Sequence, residues 1–154
     1  RNAADNVRSI LSRLKIPGTV DDIEDVRDYP EMLKAPQWQE MLDPRPLGLQ
    51  PGTHIEIIAQ RWRRAANAYL DIADQCTLVR YEDFRANKKD AIEACLEACG
   101  VPVVNDISEK VDVQFQPAGD HGELDAFFSP QNLARIEEIC APATQRLAKM
   151  SRAA

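Results

Sequence analysis

The sequence predicts an α/β domain, of which this chain is the mostly helical C-terminal part. Several segments carry apolar residues at helical spacing and begin or end at capping residues. One short run, LVRY at residues 78–81, has the composition of a buried parallel strand. Because one strand cannot form a sheet, its partner strands are expected outside residues 1–154, which we treat as one portion of a single domain.

The first predicted elements are a short amphipathic helix and a long irregular connection. The helix covers residues 6–14, with apolar side chains at helical spacing, namely Val7, Ile10, Leu11 and Leu14. The Pro-Gly pair at 17–18 ends it. Residues 19–52 are acidic and proline-rich, which predicts an irregular connection with short helical turns around Met32 and Trp38.

The strongest helical pattern runs from Thr53 to Ala73. Thr53 and Glu56 have the spacing of a capping box, in which each satisfies a backbone N–H of the other. Apolar residues then follow one helical face, namely Ile57, Ile58, Trp62, Ala65, Ala66, Tyr69 and Leu70. Trp38 and Trp62 are expected to pack in the core or beneath a lid.

Two more helices follow the predicted strand, CTLVRY. Residues 87–100 predict a helix that ends at Gly100 as its C-cap. Residues 101–128 predict irregular structure. Ser129 is the expected N-cap of the last helix, which has a proline in its first turn, and Pro142 is expected to kink it.

Composition disfavours several classes of function. The net charge is -6 and the isoelectric point about 5.0, whereas a general nucleic-acid-binding protein is usually basic, so no nucleic-acid partner is predicted. No apolar run is long enough to cross a membrane, and no signal peptide is visible. The cysteines, which lack metal-ligand spacing, predict small buried thiols in a reducing compartment, hence a cytoplasmic location.

Two segments contain candidate binding residues. RNAADNVRS opens the chain, where Arg1 could meet a phosphate at a helix N-terminus and Ser9 could reach the same phosphate. In VRYEDF, Tyr81 lies where a strand meets a loop, so its ring could lie against a flat base. The alternatives are a surface arginine with a solvent-facing serine, and a tyrosine that fills core space. His54 is expected at the surface, and His121 in a surface loop or against a ligand.

Together these segments resemble the sulfotransferases that depend on 3′-phosphoadenosine 5′-phosphosulfate (PAPS). RNAADNVRS resembles their 3′-phosphate-binding segment, and VRYEDFRANKKDAIEACLEACGVP resembles the later segment that begins YED. The resemblance implies a P-loop NTPase-like fold with a parallel sheet. It further implies that Arg1 and Ser9 bind the 3′-phosphate of the nucleotide and that Tyr81 contacts its adenine.

The sequence departs from the family pattern at two places. The loop that binds the 5′-phosphosulfate and the catalytic base do not occur in these residues, so the catalytic residues are unknown and expected upstream of Arg1. The isolated chain is therefore expected to be inactive. The family's late R-K-G-x-x-G-D-W-K segment corresponds to PAGDHGELDAFF, in which Gly119 and Gly122 are the candidate nucleotide contacts, but Arg, Lys and Trp are missing.

The predicted function is transfer of a sulfuryl group from PAPS, as co-substrate and without a metal, to a hydroxyl or amine. The expected acceptor is a small molecule, a lipid or a carbohydrate, and the oligomeric state is open, a homo-oligomer included. Two alternatives remain. One is a non-catalytic helical binding or interaction module, and the other is a P-loop kinase-like remnant.

Overall fold

The computed structural model describes residues 2–21, 29–34, 37–111, 113 and 122–150, and these ranges are mostly helical. Their helices are α1 (Ala3–Leu14), α2 (Pro30–Lys34), α3 (Gln37–Met41), the 3₁₀ turn Arg45–Leu47, α4 (His54–Asp71), the 3₁₀ turn Ala73–Gln75, α5 (Tyr81–Ala86), α6 (Lys88–Ala98), α7 (Leu124–Phe127) and α8 (Pro130–Met150). No strand occurs in these ranges, where Gly18 and Phe128 form an isolated parallel bridge. The mostly helical character is confirmed, and the sheet of the predicted α/β fold stays a prediction.

The described residues belong to two compact units. The larger unit takes its described residues from 2–70 and 122–150, and the smaller unit takes its described residues from 71–113. In the larger unit, α1 packs against α7 and α8. The predicted apolar face of α1 is confirmed, because Val7, Leu11 and Leu14 are buried there and Ile10 packs against the same core. The other buried members of this core include Met32, Leu42, Ile55, Ile58, Ala59, Phe128, Ile136 and Cys140.

Helix α1 begins three residues earlier than predicted, at Ala3. The reason is the side chain of Asn2, whose Oδ1 accepts the backbone N–H of Asp5 at 2.8 Å and so caps the helix. The helix ends at Leu14 as predicted, since Lys15 adopts the left-handed conformation with φ 54° and donates its N–H to the carbonyl groups of Leu11 and Ser12.

The segment after α1 is held against the start of α8. Gly18 pairs with Phe128, and the buried amide of Asn132 donates to the Gly18 carbonyl oxygen at 2.9 Å and to Asp21 Oδ1 at 2.8 Å. A Cβ on Gly18 would lie 2.7 Å from both the ring and the carbonyl oxygen of Phe127. Only a glycine therefore fits at this position without displacing its neighbours.

We expect Gly18→Ala to lower the free energy of unfolding by about 1–3 kcal/mol, because the added methyl group overpacks this contact and the carbonyl oxygen cannot rotate away. Urea unfolding of the two proteins measures the difference. Thr19→Ala changes the exposed neighbouring side chain and is the control, with an expected change within about 0.5 kcal/mol. Equal stability of Gly18→Ala and the unmodified chain would contradict this prediction.

The predicted capping box at the start of α4 is confirmed. The N–H of Thr53 donates to Glu56 Oε2 at 2.9 Å, and the N–H of Glu56 donates to Thr53 Oγ1 at 3.2 Å. Glu56 also forms an ion pair with Arg135 of α8, so the cap links two core helices. The helix ends at Asp71, two residues before the predicted end, where a 3₁₀ turn takes over.

The connection before α4 contains the two predicted helical turns, α2 around Met32 and α3 around Trp38. Buried Gln60 fixes the end of this connection, because its Oε1 accepts the N–H of Gln50 at 2.9 Å and its Nε2 donates to the Gln50 carbonyl oxygen at 3.1 Å. Trp38 and Trp62 are half-buried and pack against the core of the larger unit, as predicted.

The smaller unit contains α5 and α6. The predicted C-cap is confirmed, since Gly100 has a φ of 66° and donates its N–H to the Glu97 carbonyl oxygen at 2.9 Å. The N–H of Val101 donates to the Leu96 carbonyl oxygen at 2.8 Å, which completes a Schellman motif.

The buried strand predicted at CTLVRY is wrong for the described residues. Cys76 and Arg80 have extended backbone angles, but the segment between them forms no strand. Leu78 and Val79 are 42% and 43% exposed. No described segment supplies a neighbouring strand, so the extended backbone has no ladder to join. Tyr81 consequently begins α5 rather than ending a strand.

Helix α8 begins and continues as the sequence predicts, whereas two of the four cysteines lie in a different environment from the predicted one. Ser129 caps α8 as predicted, accepting the N–H of Asn132 at 3.2 Å, and the helix continues through Pro142 to Met150. All four cysteines are free thiols. Burial raises the pKa of the Cys140 thiol to about 11, whereas Cys76 and Cys99 are exposed, so the prediction of buried thiols is wrong for those two.

Candidate functional site

The predicted phosphate-binding segment forms the first turns of α1. Asn2 and Asp5 form two hydrogen bonds. The backbone N–H of Asp5 donates to Asn2 Oδ1, and Asn2 Nδ2 donates to Asp5 Oδ2 at 2.6 Å. Arg1 precedes this N-cap in the sequence but lies outside the described residues. The first N–H groups of a helix and its dipole make this end favourable for an anion.

Ser9 lies on the solvent side of α1. Its side chain is exposed, whereas Val7 and Leu11, each two positions away, are buried in the core. This orientation follows from the helical period, which places residues two apart on nearly opposite faces. A ligand can therefore reach the Ser9 hydroxyl. The same exposure also fits the alternative of a solvent-facing serine, and ligand binding has to decide between them.

Sequence reasoning missed Arg8, which is only 8% exposed although it carries a charge. Its Nη2 lies 2.5 Å from Asp5 Oδ1, and its Nη1 donates to the Gly122 carbonyl oxygen. The spacing of three residues between Asp5 and Arg8 could have revealed the ion pair. No local signal could have revealed the contact with Gly122, which is 114 residues away in sequence.

This contact brings two predicted parts of the nucleotide site together within the larger unit. Arg8 directly precedes Ser9, and Gly122 is one of the two candidate glycines of the late segment. The other candidate, Gly119, and the neighbouring His121 lie outside the described residues.

Tyr81 begins α5 in the smaller unit, directly after the extended residue Arg80. Its ring is half-buried, and the guanidinium carbon of Arg85 lies 6.0 Å from the ring centroid, at the outer limit of a cation–π contact. Glu82 and Asp83 occupy the first turn, where the helix dipole favours negative charge. The prediction that Tyr81 lies where a strand meets a loop is therefore wrong for the described residues, because the residues before Tyr81 form no strand and Tyr81 opens a helix.

The prediction that His54 lies at the surface is wrong. His54 opens α4 with 0% exposure, and neither ring nitrogen has a hydrogen-bond partner among the described residues. Burial lowers the pKa of His54 to about 4, and the carboxylate of Asp21 opposes this shift. The local sequence near a helix start does not reveal which side of the helix faces the core.

In the described ranges, no group of three or more His, Cys, Asp or Glu side chains is arranged to hold a metal ion. No helix in the same ranges is long and apolar enough to cross a bilayer.

No family model, no curated protein and no solved structure matches this chain. The resemblance to the sulfotransferases therefore stays a prediction that rests on the two sequence motifs.

Proposed function

We propose that residues 1–154 form the C-terminal portion of a PAPS-dependent sulfotransferase domain and hold the 3′-phosphate and adenine of the nucleotide. One observation carries this proposal. Helix α1, whose N-cap Asn2 follows Arg1 in the sequence, presents Ser9 to solvent. This is the arrangement that the RNAADNVRS motif predicts for a phosphate site.

Each candidate side chain has a distinct role in binding. Arg1 supplies a permanently charged, forked group that can bond two phosphate oxygens at once. The N–H groups at the start of α1 add neutral donors, and Ser9 adds a hydroxyl. Tyr81 offers one face of its half-buried ring to the adenine, since base–aromatic stacking contributes roughly 1–3 kcal/mol.

The smaller unit supports placing this chain in a larger α/β domain. No described residue of 71–113 is buried. Several apolar side chains there are between 42% and 79% exposed, namely Ile72, Leu78, Val79, Val101, Val103, Val104 and Val113. In the proposed P-loop-type fold, the rest of the domain covers part of this apolar surface, because secondary-structure elements bury their apolar faces against one another.

In the proposed reaction, an acceptor hydroxyl or amine attacks the sulfur of PAPS in line with the departing 5′-phosphate oxygen. The new bond to sulfur forms as the bond from sulfur to that oxygen breaks, and the acceptor proton passes to a base outside these residues. Positioning and electrostatic stabilisation supply most of the catalysis. The part assigned to this chain is to hold the nucleotide while a small molecule, lipid or carbohydrate accepts the sulfuryl group.

The proposed compartment is the cytoplasm, where a reducing environment keeps unpaired cysteines such as these as thiols.

A non-catalytic helical interaction module is the second candidate. The exposed apolar side chains of the smaller unit favour it, since such surfaces mark contacts with other proteins.

Calorimetric titration of adenosine 3′,5′-bisphosphate into the native full-length protein tests the proposal. We expect micromolar binding that weakens at least roughly tenfold in Arg1→Ala, because a charged group loses its partner, and less in Ser9→Ala. Tyr81→Ala weakens binding, whereas Tyr81→Phe keeps the stacking surface and retains it.

Ser12→Ala is the matched control for Ser9→Ala. It makes the same change on the same helix, one turn further along and on a half-buried side chain. Nucleotide binding should not respond to it. A folded full-length protein that does not bind the bisphosphate would eliminate the sulfotransferase proposal and favour the interaction module.

A further inference from the structure

Four residues of the larger unit form a continuous chain of polar contacts, which we call the α1 network. Asn2 bonds to Asp5 through both its amide atoms, Asp5 pairs with Arg8, and Arg8 donates to the carbonyl oxygen of Gly122. The chain runs from the N-cap of α1 to the segment that precedes α7. It therefore links the residue beside Arg1 to a residue 120 positions later.

Arg8 is the central member of the α1 network. With 8% of its surface exposed, its guanidinium is largely removed from water, and Val7 beside it is fully buried. A buried charge paired in this way seldom adds stability over an apolar side chain of similar volume. The free energy of unfolding alone therefore does not favour an arginine at position 8 over an apolar side chain of similar volume.

Two consequences of the arginine concern the start of α1. The first is electrostatic, because Arg8 neutralises the Asp5 carboxylate in the first turn, where an anionic ligand would otherwise meet a negative charge. The second is geometric, because the bond to the Gly122 carbonyl holds the segment before α7 against α1. Both consequences favour binding of an anion at this helix end.

We propose that Arg8 is a positioning residue for the nucleotide 3′-phosphate, acting through Asp5 and Gly122 without touching the ligand. This inference rests on the proposed function, since it concerns the phosphate site at the start of α1. It assigns to Arg8 the discrimination between nucleotides with and without a 3′-phosphate.

The test compares two nucleotides that differ only in the 3′-phosphate, adenosine 3′,5′-bisphosphate and adenosine 5′-monophosphate. Arg8→Met keeps a long side chain but removes the charge and the donors. We expect its affinity for the bisphosphate to fall roughly tenfold, the effect of one lost charge-assisted hydrogen bond, while its affinity for the monophosphate stays unchanged. Calorimetry in the full-length protein measures both.

Arg8→Lys is the second variant, because a lysine keeps the charge beside Asp5 but lacks the fork that also reaches Gly122. It should lose less bisphosphate affinity than Arg8→Met, and it provides the same comparison if Arg8→Met does not fold. Arg13→Met is the matched control, since Arg13 is an exposed arginine on the same helix. It should leave both affinities unchanged.

The two titrations distinguish a failure of the proposed function from a failure of the role proposed for Arg8. If the unmodified protein does not bind the bisphosphate, the proposed function fails. If the unmodified protein binds it and the folded Arg8 variants lose affinity equally for both nucleotides, or for neither, the positioning role of Arg8 is overturned while the proposed function stands.

Discussion

Acidification from pH 7 to pH 4 should lower the free energy of unfolding by about 3 kcal/mol through His54 alone. In the folded protein, burial lowers the pKa of His54 from 6.5 to about 4. Between these two values the unfolded chain binds a proton that the folded chain excludes, so protonation favours unfolding. The stabilisation is complete above pH 6.5 and is lost progressively as the pH falls towards 4.

Urea unfolding at several pH values measures this effect, and His54→Leu is the matched variant, because leucine fills similar space and does not titrate. We expect the unmodified protein to lose roughly 2 kcal/mol between pH 7 and pH 5 relative to the variant. This window lies above the ordinary pKa of aspartate, so Asp43 and Asp106, whose pKa values are lowered to about 2 by hydrogen bonds, contribute little there. The same pH dependence in both proteins would show that His54 is not buried as a neutral ring.

The substitution Leu11→Ala should lower the free energy of unfolding by about 2–5 kcal/mol. Leu11 has 0% exposure and belongs to the core between α1 and α8. Removing three carbon atoms loses the favourable free energy of their transfer from water to the core. It also leaves a cavity that the close-packed neighbours fill only in part. The expected cost is a large share of the stability of an ordinary domain.

Tryptophan fluorescence during urea unfolding measures the loss, because Trp38 and Trp62 are the two tryptophans and both pack against this core. The signal therefore reports the larger unit. Leu33→Ala is the control, since it makes the same change at a leucine that is 61% exposed, and it should alter stability by less than about 0.5 kcal/mol. Equal midpoints for the two variants would contradict the assignment of Leu11 to the core.

Most helix ends that a short-range hydrogen bond defines were predictable from the sequence. The capping box of Thr53 and Glu56, the Gly100 C-cap and the Ser129 N-cap each involve residues within four positions of one another, and all three are present. The start of α1 is the exception, since it was predicted three residues too late although the cap joins Asn2 and Asp5, which are only three positions apart.

The sequence predicted burial correctly for the apolar face of α1. It predicted burial wrongly for a single residue and for a short segment that lie outside such a pattern. The apolar spacing of α1 identified Val7 and Leu11 correctly, since a continuous stripe has only one side to bury. His54 and the segment from Cys76 to Arg80 were assigned to the wrong environments. In each case, the exposed fraction of the side chains depends on which distant segments pack nearby. The local composition does not show which segments these are.

In the candidate site, too, features set by neighbouring residues were predictable and features set by distant residues were not. Motif spacing was sufficient to place Ser9 near the start of a helix, because helix position depends on a few adjacent residues, whereas its role in binding stays a prediction. The contact of Arg8 with Gly122 joins residues 114 positions apart and exists only because α1 packs against α7 and α8. Neighbouring residues determine hydrogen bonds along the backbone and the period of each helix. Packing between distant segments determines which charges are buried and which carbonyl groups they meet, since those partners come together only in the folded chain.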